Sequence, residues 1–172
     1  MKMLDAKIEK ALNRQINHEL TAAYSYFAMS AYFEGISLSG FAAWMMRQRE
    51  EELQHAARLY NYLMDRGGKS DFPPIGSPQV EFSSVIDVFE TALKLEQVNT
   101  AEINDLYQLA AGVQDFATLS AMQWFLDEQV EEEKSMGEML DMVKFAGNDK
   151  GALLVLNQQL AKGNAGQNDA PA

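Results

Sequence analysis

The chain has 172 residues, no cysteine, and 25 acidic against 14 basic side chains, a net charge of −11. This length suits one well-packed core. The missing thiols exclude disulfides, zinc ribbons, iron–sulfur clusters and cysteine nucleophiles, so any bound metal must use oxygen and imidazole ligands. The acidity speaks against nucleic acid or an anionic membrane as partner, since both need clustered Lys and Arg. The N-terminal residues lack the apolar core of a signal peptide, and no run approaches the ~18 apolar residues of a membrane span, so a soluble, cytoplasmic protein is expected.

Helical periodicity dominates the chain. The first predicted helix covers 4–33, with 4,3 spacing through Leu4, Ile8, Leu12, Gln15, Glu19, Ala22, Tyr26, Met29 and Phe33, and Gly35 as its stop. The second covers 41–66 through Phe41, Met45, Gln48, Glu52, His55, Leu59 and Tyr62; Ser39 is the expected N-cap and Gly67-Gly68 the end. The third, 83–112, starts near Ser83-Ser84 and runs through Val85, Phe89, Ala92, Glu96, Asn99, Ile103, Leu106 and Ala110. The fourth, 115–145, carries Leu119, Met122, Phe125, Gln129, Glu132, Met136, Met139 and Val143 and stops at Gly147.

Loop lengths then set the topology. Short connections pair the first helix with the second and the third with the fourth, each pair antiparallel. Residues 68–82 contain Pro73-Pro74 and Pro78, which cannot be helical; extended, they reach roughly 45–50 Å at ~3.3 Å per residue. The second helix, ~26 residues at 1.5 Å rise, is about 40 Å long. The connection therefore suits a crossover along the whole bundle, leaving the second and third helices parallel. A further apolar segment, 151–160, is too short to stand alone and must dock, either back on its own bundle or at a subunit contact. One domain over 1–161 is expected, with 162–172 a disordered tail.

Polar residues interrupt each apolar stripe near its middle: Glu19, then Glu52 and His55, then Glu96, then Gln129 and Glu132. A helix midpoint keeps its height whichever way the chain runs, so these residues should share one central layer. Buried carboxylates with no compensation cost several kcal/mol each. No Lys or Arg lies on the stripes. Two divalent cations would balance four Glu, with His55 as a neutral nitrogen ligand. The Glu52-x-x-His55 spacing puts both side chains on one face, and Glu52 can bridge two ions. Taken singly, each residue has an ordinary reading as a solvated Glu, a core His or a boundary Gln; their coincidence is what points to metal. Tyr26, two turns from Glu19, is a candidate electron or hydrogen-bond donor, or else a core aromatic. Trp124 reads as core packing and His18, off the stripe, as a surface or interface residue. Glu51, Glu128 and Glu131 flank the layer and form a candidate third, looser iron site.

The stretches Gln15-Ile-Asn-His-Glu19-Leu, Arg49-Glu-Glu-Glu52-Leu-Gln-His55, Glu96-Gln97 and Gln123-Trp-Phe-Leu-Asp-Glu-Gln129-Val-Glu-Glu132-Glu-Lys resemble the non-haem bacterial ferritins over roughly residues 4–162. The resemblance implies an all-α, ferritin-like four-helix bundle with one long crossover and a short fifth C-terminal helix. It implies a first iron on Glu19, Glu52 and His55, a second on Glu52, Glu96 and Glu132, and Gln129 beside them as ligand or water anchor. Glu51, Glu128, Glu131 and Glu132 match the family's third site, and Tyr26 its redox-active tyrosine. The implied activity is a ferroxidase taking Fe(II) and O2 or peroxide, within a homo-oligomeric shell of 24 subunits that stores ferric oxide-hydroxide, the fifth helix lying near its four-fold axes. Bacterioferritins repeat Glu-x-x-His in the last helix, where this chain has Gln129 and Glu132; one metal position thus lacks imidazole, favouring iron as a substrate in transit. Leu53 stands where those proteins place a haem-ligating Met, so no haem is expected. The alternative on the same bundle is a di-metal redox enzyme without storage, such as a rubrerythrin-like peroxidase or an oxygenase.

Overall fold

The computed structural model describes residues 4–163, which form five helices: α1 Ala6–Gly35, α2 Ser39–Asp65, α3 Val85–Gly112, α4 Phe116–Ala146 and α5 Lys150–Gly163. The fold is all-α. The tail expected to be disordered falls mostly outside the described residues, while α5 extends through Lys162 to Gly163.

Three of the long helices start with a side-chain cap drawn from their own sequence. Asp5 accepts from the Lys7 amide, Ser84 from the Asp87 amide and Asp115 from the Thr118 amide, each satisfying a donor that the first turn leaves free. The second helix departs from expectation. Ser39 is its first helical residue, and the capping position is Leu38, which offers no side-chain acceptor. Asn157 of α5 supplies the acceptor instead: its Oδ1 takes hydrogen bonds from the Gly40 and Phe41 amides at 2.7 and 3.2 Å. Gly40 is required there, because a Cβ would stand 1.9 Å from the Asn157 carbonyl oxygen. At the other end of α2, Gly67 adopts φ 72° and the Gly68 amide donates to the Leu63 carbonyl, a left-handed stop that glycine adopts at no steric cost.

Helix α1 packs along α2, α3 along α4, and α1 faces α3 across the core. The crossover climbs α1. Asn13 bonds the Lys69 carbonyl and the Asp71 amide, Asn17 reaches the Pro73 carbonyl, and Phe82 packs edge-on against Tyr32 at 5.3 Å. It thus ends beside the C-terminal part of α1, where α2 begins, and α3 starts parallel to α2 as its length required.

The bundle interior is two apolar bodies with a polar layer between them. One is built around Phe33, Phe41, Phe89, Met136 and Val143, the other around Leu12, Leu59, Leu63, Ile103 and Phe125. Fully burying each such side chain is worth about 1.5–3 kcal/mol, so the layer is clamped from above and below. Helix α5 docks one face on the first body through Leu153, Leu156 and Leu160, leaving Leu154 and Val155 exposed. The segment thus folds back on its own bundle through one face, as one of the two expected placements has it.

Removing the remote cap should loosen α5 specifically. Asn157→Ala is expected to cost about 1–2 kcal/mol, read as roughly tenfold faster hydrogen exchange of α5 amides with the α1, α3 and α4 amides unchanged. Gly40→Ala should produce the same pattern more strongly, because the new methyl occupies the space of the Asn157 backbone.

Candidate metal centre

The polar layer collects one or two positions from the middle of each long helix. Glu19 of α1, Glu52 and His55 of α2, Glu96 of α3 and Gln129 of α4 are all buried, at 0, 2, 4, 1 and 3% exposure. Glu132, one turn beyond Gln129, is half-buried at the edge of the layer. Three of these residues converge most closely: ligand atoms of Glu19, Glu52 and His55 all lie within 4.8 Å of one another. His55 Nδ1 stands 3.4 Å from Glu52 Oε2, and both atoms are buried with no hydrogen-bond partner among the described residues. Buried polar atoms without partners are rare and costly, and two that face each other suit a shared ion.

The other carboxylates are held by amides and a phenol. Gln15 Nε2 donates to Glu19 Oε1 at 2.9 Å and to Asn99 Oδ1 at 2.5 Å, and Asn99 Nδ2 donates to Glu19 Oε2 at 3.1 Å. Gln129 Nε2 donates to Glu96 Oε2 at 3.3 Å and to Thr100 Oγ1 at 3.2 Å, while its Oε1 accepts from Asn99 at 3.4 Å. The Tyr26 hydroxyl donates to Glu96 Oε1. Periodicity assigns Gln15, Asn99 and Thr100 no role, although Gln15 and Asn99 do interrupt apolar stripes. Their function is orientation: neutral donors fix the carboxylates without neutralising them, much as outer partners fix metal ligands.

The electrostatics reflect that concentration of charge. Burial, then the Glu19 and Glu96 carboxylates, push the Glu52 carboxyl well above its ordinary range. Burial also raises Glu96, against the hydrogen bonds from Tyr26 and Gln129 that favour its anion. Glu132 is raised to about 8, by burial first and then by Glu96, Glu51 and Glu128. Burial and the Glu96 and Glu52 charges push the Tyr26 phenol up, keeping it protonated. Without cations, the site is tolerable only by holding protons.

On the outer side of the layer a cavity of about 430 Å³ opens between α2 and α4, lined by Glu51, Glu128, Glu131, Glu132, His55 and Trp124 among others. The residues expected to flank the centre therefore do share one space with it. Trp124 packs edge-on against His55 at 5.4 Å, with the Arg58 guanidinium 3.9 Å over its ring, so it forms the wall of the site as well as packing. His18 is half-buried and belongs to neither group of converging ligands.

A family profile described as ferritin-like domain matches residues 9–146. Among curated proteins, a bacterial non-heme ferritin of Staphylococcus aureus (strain USA300) is 39% identical over 158 residues, spanning 92% of this chain and 95% of that protein. The bacterial non-heme ferritin of Staphylococcus haemolyticus is 39% identical over 159 residues, with 92 and 96% covered. Among solved structures, an open-pore ferritin from the hyperthermophilic archaeon Archaeoglobus fulgidus superposes with a TM-score of 0.90 at 39% identity, over 91% of this chain and 97% of that one. A structure described as a humanized archaeal ferritin also reaches a TM-score of 0.90. With a four-helix bundle, a carboxylate layer at its centre and relatives of this similarity along nearly its full length, the chain belongs to the ferritin-like family.

Proposed function

We propose that this protein is an iron-storage ferritin whose polar layer is a ferroxidase centre for two iron ions per subunit. The observation that carries the reading is the buried set Glu19, Glu52, His55 and Glu96 with Glu132 at its edge, which contains acid and imidazole but no basic side chain. Four carboxylates match the charge of two divalent cations. Glu19, Glu52 and His55 hold the first ion, and Glu52, Glu96 and Glu132 the second, so that Glu52 bridges. Gln129, already pinned by Glu96 and Thr100, keeps its amide beside the second ion as ligand or water anchor.

Iron is substrate here. Each Fe(II) gives one electron, and the pair reduces one O2 to hydrogen peroxide with uptake of two protons; two neighbouring ions thereby avoid one-electron reduction to superoxide. Hard carboxylate oxygens favour the ferric product. Tyr26, hydrogen-bonded to Glu96, stands where it can supply a further electron and proton. Glu51, Glu128 and Glu131, with Glu132, form the third site on the path between the outer cavity and the pair. The product is stored as ferric oxide-hydroxide inside a shell of 24 copies, with α5 near the four-fold axes. No haem takes part. The likeness to bacterial non-heme ferritins supports storage over a di-metal enzyme with a fixed metal pair.

Aerobic addition of Fe(II) to apo protein, followed optically, tests the centre. The parent should show a rapid di-ferric phase, and Glu52→Ala and His55→Ala should each slow its initial rate at least tenfold; rates equal to the parent's would show that iron is oxidised elsewhere.

Proton occupancy gives a second test. A carboxyl whose pKa is raised on folding stabilises the folded state fully below its unfolded value, and that contribution is lost as pH rises through the folded value. For Glu132 the window is about pH 4.5 to 8. The apo protein's Tm should fall across it, less steeply in Glu132→Gln, and saturating Zn(II) should flatten the dependence by taking the protons' place. A Tm independent of pH in metal-free protein would contradict this.

A further inference from the structure

We propose that Glu133, acting through Thr100, positions the metal-holding carboxylates from outside the layer: it fixes the direction of a chain of side-chain hydrogen bonds that ends on Glu19 and Glu96. The inference rests on the reading of the layer as a metal centre and gives a role to two residues that hold no ion.

The chain of bonds crosses three helices. Thr100 Oγ1 donates to Glu133 Oε1 at 2.5 Å, which turns the hydroxyl's lone pairs toward Gln129 Nε2 at 3.2 Å. Gln129 therefore presents its N–H groups to Thr100 and to Glu96 Oε2, and its carbonyl oxygen to Asn99 Nδ2. Asn99 also donates to Glu19 Oε2, while its own carbonyl oxygen accepts from Gln15, which in turn donates to Glu19 Oε1. Each amide has one accepting oxygen and one donating nitrogen, so the orientation of one dictates the next. Turning Gln129 over would set N–H against N–H at Asn99 and oxygen against the Glu96 carboxylate.

A hydroxyl alone could serve either direction by rotating, since it both donates and accepts. Glu133 removes that freedom, because a carboxylate only accepts and so takes the Thr100 proton. Glu19 and Glu96 anchor the inner end, but they change partners when ions arrive. Glu133 stands outside the ligand set and keeps its partner throughout. It is also separate from the acids of the outer cavity: Glu133 is half-buried against α3 and does not line that space. The consequence is a pair of carboxylates that meet N–H groups on one side and keep their remaining lone pairs for cations, much as outer partners orient the ligands of other metal sites.

Anaerobic Co(II) titration of the assembled apo protein, read by calorimetry and by visible d–d absorption, tests this, with gel filtration to confirm assembly. Thr100→Val keeps the side chain's shape and removes its hydroxyl; it should shift the d–d bands and weaken Co(II) binding about fivefold, the scale of one hydrogen bond. Thr100→Ser, which keeps the hydroxyl, should bind within about twofold of the parent. Glu133→Ala should weaken binding about threefold in the parent and cause no further loss when added to Thr100→Val, because its effect passes through that hydroxyl. Loss of a nearby negative charge alone would instead weaken both backgrounds equally. The proposal is overturned if Thr100→Val or Glu133→Ala binds like the parent, if Thr100→Ser is as impaired as Thr100→Val, or if the two losses multiply. Failure of the underlying reading is distinct and takes this inference with it: Glu52→Gln would then leave Co(II) uptake unchanged, whereas a metal centre in the layer loses uptake in Glu52→Gln whatever stands at position 100.

Discussion

Everything at the centre of this bundle follows from the cost of placing like charges out of water. Glu19, Glu52 and Glu96 are buried in one layer with Glu132 at its edge, and the side chains that hold them, Gln15, Asn99, Gln129 and Tyr26, orient the carboxylates without cancelling a single charge. A cluster designed for stability would contain Arg or Lys, or be apolar. Here the donor set contains no compensating Lys or Arg; in the proposed function divalent cations supply that charge, and without them protons do, as the raised Glu52, Glu96 and Glu132 carboxyls indicate.

The rest of the fold makes that layer affordable. Apolar bodies on both sides of it hold four helices in register without help from the polar residues, so the layer can be optimised for ligand geometry. The crossover, tied to α1 at Asn13 and Asn17, brings α3 in parallel to α2 and so places Glu96 at the height of Glu19 and Glu52. Helix α5 completes the unit by capping α2 from a position more than a hundred residues away in sequence.

Much of this is legible in the amino-acid sequence alone. Periodicity located the helices to within a few residues, the proline-bearing connection dictated the crossover, and the coincidence of polar interruptions at the helix midpoints located the layer. What escaped the sequence is non-local. Ser39 satisfies every local rule for an N-cap, yet α2 is capped by Asn157, because helix docking and a glycine without Cβ outrank a preference confined to one turn. Gln15 and Asn99 sit on the stripes, but their bonding to each other and to Glu19 spans two helices and depends on rotation about each axis. The half-burial of Glu132 likewise depends on the gap between α2 and α4, which periodicity does not encode.

Anomalous diffraction from crystals soaked anaerobically with ferrous salt tests the central claim most directly. The account predicts two iron peaks in the polar layer, one among Glu19, Glu52 and His55 and the other among Glu52, Glu96 and Glu132. Maps with no iron between those side chains, under conditions where the protein still oxidises Fe(II), would contradict it.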